Sequence, residues 1–135
     1  MSNEDFDNDR KDAGEIGAGT DIVVMFEIEL TTKDRGKLGN IFDVNIRYKD
    51  PGHPESKLIT KTVNSKSAPD YPSSDFNFAC SVAMFGHLLR GSEYIGDASI
   101  SGAIALAEEN IGRDPGSYRK EFVDLLKKYQ ALIRW

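Results

Sequence analysis

The sequence is poorest in the residues that staple a chain or anchor it. Cys80 is the single cysteine among 135 residues, which excludes an intrachain disulfide and a thiolate zinc cluster. No apolar run approaches the roughly 20 residues that span a bilayer. Residues 1–15 are acidic, with no basic stretch leading into an apolar one, so they do not read as a signal peptide. The two histidines, His53 and His87, form no His-x-x-His or His-Glu-x-x-His pattern with which to hold zinc. A basic face is also missing. The net charge is −5, and most of it is local: Glu4, Asp5, Asp7, Asp9, Asp12 and Glu15 outweigh Arg10 and Lys11, leaving the rest close to neutral. Nucleic acid and anionic lipid both need clustered cations to release counterions, so no nucleic-acid partner is expected.

What is present is enough apolar material for a folded domain: 39% hydrophobic against 29% charged residues. Three blocks follow one another. Residues 1–20 form an acidic arm with a glycine-rich lead-in, and residues 21–135 read as a single α+β domain, with strands over 21–63 and helices over 73–133. Strands followed by helices favour α+β over an alternating βαβ sheet.

Residues 21–30 place Ile22, Val24, Phe26, Ile28 and Leu30 on one face, a period of two that predicts a strand. Phe42, Val44, Ile46 and Tyr48 alternate with Asp43, Asn45 and Arg47 in a second. Asp50-Pro51-Gly52 supplies turn chemistry, and residues 58–63 return as a third strand, antiparallel to the second. The expectation is a short meander of about three strands packed against three helices. A first helix runs from about Ser74 to Arg90, capped by Ser73 or Ser74, with an apolar stripe through Phe76, Ala79, Cys80, Ala83, Phe85, Gly86, Leu88 and Leu89. A shorter helix covers about 100–110 through Ile100, Ala103, Ile104 and Ala107, with Gly112 as terminator. The last has Asp114 as N-cap and Pro115 as its first helical residue, packing through Tyr118, Phe122, Leu125, Tyr129 and Leu132.

Val23 and Met25 give the first strand a second apolar side, and the edges of a three-stranded meander stand open. The block therefore reads as a fragment of a larger β assembly, able to form an edge-paired homodimer.

Motifs for chemistry fall away one by one. Cys80 and His87 are seven residues apart on a helix, about 10 Å, beyond the roughly 3 Å that proton transfer requires. Gly14, Gly17 and Gly19 precede a strand instead of following one, and no Lys-Ser pair completes a phosphate loop. Asp5, Asp7 and Asp9 alternate as in a calcium loop, yet Arg10 replaces the sixth-position glycine and Ile16 the twelfth-position glutamate. Asp97, Ser99 and Ser101 spell Asp-x-Ser-x-Ser without the hydrophobic strand a metal-dependent adhesion site needs, so Asp97 or Ser99 reads as a helix cap. No serine lies in a nucleophile elbow. The chain reads as non-catalytic, with no cofactor and no metal.

Asn3-Glu4-Asp5-Phe6, the string Lys11-Asp12-Ala13-Gly14-Glu15-Ile16-Gly17-Ala18-Gly19, Ile46-Arg47-Tyr48-Lys49 and Glu55-Ser56-Lys57-Leu58 carry a resemblance over nearly the whole chain. Ser74-Asp75-Phe76-Asn77-Phe78-Ala79, Phe85-Gly86-His87-Leu88-Leu89-Arg90, Ser92-Glu93-Tyr94 and Tyr118-Arg119-Lys120-Glu121-Phe122 continue it in order. The chain resembles the C-terminal domain of unknown function that follows the von Willebrand factor type A domain in bacterial YfbK-like proteins. The resemblance implies a periplasmic, secreted or membrane-anchored parent, with the type A domain upstream as first partner and other envelope proteins as further ones. The expected function is an accessory interaction module, in which Asp12 and Glu15 of the arm contact the upstream domain or cap nearby backbone. The alternative is a sensor whose pocket binds a small polar ligand through Arg47, Tyr48, Arg90 and Tyr94.

Overall fold

The computed structural model describes residues 6, 8, 14–29, 31, 39–66 and 71–133. Two strands and three helices follow in order: β1 (Asn40–Tyr48), β2 (Lys57–Asn64), α1 (Ser74–Arg90), α2 (Ile100–Glu109) and α3 (Tyr118–Leu132). This is an α+β arrangement. The chain divides into two compact units, Met1–Pro69 and Asp70–Trp135, each taken by itself below.

In the first unit β1 and β2 pair antiparallel as a two-stranded sheet. Phe42 lies opposite Val63, Val44 opposite Lys61, Ile46 opposite Ile59 and Tyr48 opposite Lys57, so one face is largely apolar. The other pairs Asp43 with Thr62, Asn45 with Thr60 and Arg47 with Leu58. There Thr62 Oγ1 donates to Asp43 Oδ1 (2.6 Å) and Thr60 Oγ1 to Asn45 Oδ1 (2.7 Å). The register slips between Asn40 and Phe42; beyond the slip Ser65 N–H donates to Gly39 O (2.9 Å), closing the open end. At the turn, His53 N–H donates to Asp50 O (3.0 Å) and Gly52 takes φ 77°, which glycine adopts without a steric cost.

The expected first strand does not form. Residues 21–29 have no regular secondary structure, and the sheet has two strands where about three were predicted; Leu30 lies outside the described residues. Alternation specifies which side chains would share a face, but a strand exists only when a neighbour takes its backbone hydrogen bonds. The preceding turn helps explain why no local partner appears among the described residues. Thr20 N–H donates to Gly17 O (3.2 Å) with Gly19 at φ 79°, as a type II turn requires. Such a turn splays its flanking arms, whereas tight hairpins use the mirror-image types.

The second unit holds the buried apolar core: Phe78 and Phe85 of α1, Ala103, Ile104 and Ala107 of α2, and Val123 and Leu126 of α3. Phe122 sits edge-on to Phe78 and Phe85, with ring centroids at 5.5 and 6.0 Å, and Tyr129 edge-on to Phe85 at 5.2 Å. The helix boundaries follow their caps. Ser73 Oγ accepts from Phe76 N–H (3.1 Å) and Ser99 Oγ from Gly102 N–H (3.1 Å). At the end of α1, Gly91 is left-handed and donates to Leu88 O while Ser92 N–H reaches His87 O, a Schellman closure. α3 begins at Tyr118, three residues later than predicted, because Asp114-Pro115-Gly116-Ser117 closes as a turn, Ser117 N–H to Asp114 O (3.1 Å). Asp114 still caps from beyond that turn, its Oδ2 accepting from the N–H groups of Arg119 and Lys120 (3.1 Å each).

Two predicted packing stripes are displaced. On α1 the buried residues are Phe78, Ser81 and Phe85, whereas Phe76 and Leu89 are exposed. On α3 they are Val123 and Leu126, whereas Tyr118, Leu125 and Leu132 are exposed. On α3 the face is turned by roughly one residue, about 100° of helix; on α1 Phe85 is the one residue of the predicted stripe that is fully buried.

Candidate functional site

Residues 21–29 are the most conspicuous surface of the first unit. Ile22, Val24, Phe26 and Ile28 are 59, 65, 70 and 58% exposed, and Val23 and Met25 on the alternate side are exposed as well. Folded proteins seldom leave a contiguous apolar stretch of this length in water. Glu15 lies exposed just before the turn that leads into it; Asp12 lies outside the described residues.

The four residues expected to line a polar pocket are placed as follows. Arg47 is half-buried on β1, its Nη1 donating to Ser56 Oγ (2.8 Å) and its guanidinium 5.3 Å from the centre of the Phe6 ring. Tyr48, one residue on, belongs to the opposite face of the sheet, where Lys57 Nζ lies 6.0 Å from its ring. Adjacent strand residues diverge, so these two do not line one concavity. Lys57 also pairs with Asp50, and the hydrogen bond and charge of that carboxylate hold its ammonium above the usual lysine range. Arg90 is the exposed last residue of α1, and Tyr94, also exposed, donates its backbone N–H to Ser92 Oγ (3.2 Å).

The remaining motif residues have local duties. Ser99 caps α2, as expected of Asp97 or Ser99, and Ser101 Oγ accepts from Gln130 Nε2 (2.8 Å). Asp97 is exposed and Cys80 half-buried. His87 is half-buried, and its Nδ1 has no partner among the described residues. No three His, Cys, Asp or Glu side chains converge among the described residues, and no helix there is long and apolar enough to cross a membrane.

The sequence reading missed Arg119, a polar side chain that ties several elements together. Its Nη1 donates to Ile111 O (3.0 Å), its Nη2 pairs with Asp75 (2.5 Å), and its guanidinium lies 4.8 Å from the Phe78 ring centre. The signal was its place, one turn before Phe122 and Val123, on the face that α3 buries.

Comparison with known proteins agrees with the resemblance. No solved structure matches the chain. It is 33% identical over 144 residues to the protein described as "Uncharacterized protein YfbK" of Escherichia coli (strain K12), a match covering 92% of this chain and 24% of that relative. The chain thus spans about a quarter of the length of the curated relative it matches. The sequence pattern described as "Uncharacterized protein YfbK, C-terminal" matches residues 1–132, and with nearly every residue inside that match the chain belongs to the YfbK C-terminal family.

Proposed function

We propose that this chain is a non-catalytic accessory module that joins the rest of a longer envelope protein by offering residues 21–29 as a strand to an open sheet edge there. The observation that carries the reading is the exposed, alternating Ile22, Val24, Phe26 and Ile28 in a stretch that belongs to no sheet among the described residues. Strand addition uses such segments: backbone hydrogen bonds give affinity, and alternate side chains fill pockets. Self-pairing is disfavoured, because antiparallel register about Met25 sets Asp21 against Glu29 at both ends. The partner edge is neutral or basic and belongs to another part of the protein. An extracytoplasmic setting beside a type A domain rests on the resemblance, and the limited share of the E. coli relative that is matched leaves ample chain to supply the edge.

The test is a titration of this chain against the E. coli relative lacking its matching C-terminal quarter. Phe26→Lys and Val24→Lys should each weaken binding tenfold or more, about 1.4 kcal/mol or above. Affinity unchanged by both substitutions sinks the reading.

A further inference from the structure

We infer that the outer stripe of α3 is self-complementary and pairs two copies of the chain, helix against antiparallel helix. The buried side of α3 carries Val123 and Leu126. Turned away from it, Tyr118, Leu125 and Leu132 are 77, 52 and 72% exposed. They recur at seven-residue intervals, close to two full turns, so they form one line along the helix. The two flanks of that line differ in chemistry. Phe122 and Tyr129 border it on the flank toward α1, where their rings meet Phe78 and Phe85. Glu121 and Lys128, both exposed, border it on the other.

This order selects the occupant. In an antiparallel pair, residues on the same flank meet, and a two-fold axis at Leu125 brings each residue before it to one as far beyond it in the second copy. Leu125 then packs on its own counterpart, and Tyr118 on Leu132. Glu121, four residues before the axis, reaches Lys128, three beyond it, on the flank they share. Phe122 and Tyr129 stand in the same relation on the other flank. Every contact away from the axis is made twice, as a closed two-fold interface requires, and opposite charges meet both times. Parallel pairing instead turns the charged flank of one copy toward the aromatic flank of the other, which leaves Glu121 and Lys128 without opposite charges. At 15 residues, α3 is about 22 Å long. One helix contact of that length lies at the small end of specific interfaces, so the dimer forms at high concentration. The pairing uses no residue of 21–29.

Sedimentation equilibrium on the full chain tests it. A concentration-dependent dimer is expected, lost in Leu125→Arg with the helical circular dichroism unchanged and intact in Phe26→Lys. Glu121→Lys should weaken the dimer, and the double variant Glu121→Lys/Lys128→Glu should restore it. Separately, Leu125→Cys in a Cys80→Ala background should oxidise to a covalent dimer, because position 125 lies on the axis. A monomer at every concentration up to the millimolar range overturns the inference. If Leu125→Arg then weakens binding to the truncated E. coli relative, the stripe docks on the parent chain instead. A dimer indifferent to both Leu125→Arg and Glu121→Lys overturns it too, and would place self-association elsewhere, with residues 21–29 the first surface to examine.

Discussion

Leu126 and Ser81 are the largest side chains with no solvent exposure at all, and they illustrate two ways of being buried. Leu126 is held by apolar contact alone. Leu126→Ala should cost about 2–5 kcal/mol through lost transfer energy and the cavity left behind, whereas Leu125→Ala, next to it and half exposed, should stay within about 0.5 kcal/mol. Paired chemical denaturation curves check this, and equal losses would mean the burial on α3 is wrongly phased. Ser81 is tolerated in the same core because its hydroxyl donates to Phe78 O (2.6 Å) within its own helix. These positions were not legible beforehand. A seven-residue reading of α3 picks Tyr118, Phe122, Leu125, Tyr129 and Leu132, a consistent stripe that is mostly on the wrong side. The buried side instead includes Arg119, whose guanidinium lies over the Phe78 ring although its type reads as surface.

At the scale of elements, local chemistry was the better guide. The start of α1 came from the choice of Ser73 or Ser74 and that of α2 from Asp97 or Ser99, with Ser73 and Ser99 the caps that form, because a cap is an interaction among residues three or four apart. Ser99→Ala should therefore lower stability by about 1 kcal/mol, read as a reduced unfolding midpoint with an unchanged denaturant slope. An unchanged midpoint would mean Gly102 N–H finds water at no cost. The start of α3 was misplaced for the converse reason: Pro115 suits a first helical turn, but Gly116 beside it suits the second half of a β-turn equally well, and the turn prevailed. Residues 21–29 mark the limit of local reasoning. Their pattern is that of a strand, and no nearby sequence states whether a neighbour exists.

At the scale of the molecule, every buried apolar residue among those described belongs to the second unit. A two-stranded ladder is marginal in water without further cover. Residues 70–135 expressed alone should melt cooperatively by far-ultraviolet circular dichroism, while residues 1–69 alone should show no sharp transition. A non-cooperative melt of 70–135 would show that its core needs support from outside. The half-buried thiol of Cys80 adds a practical consequence. It sits on α1, one turn after Phe76, and it is the chain's single sulfhydryl. The rate at which a colorimetric thiol reagent consumes it is thus a built-in clock for that helix, readable on the unaltered polypeptide: slow where the surface is occupied, fast where it is bare.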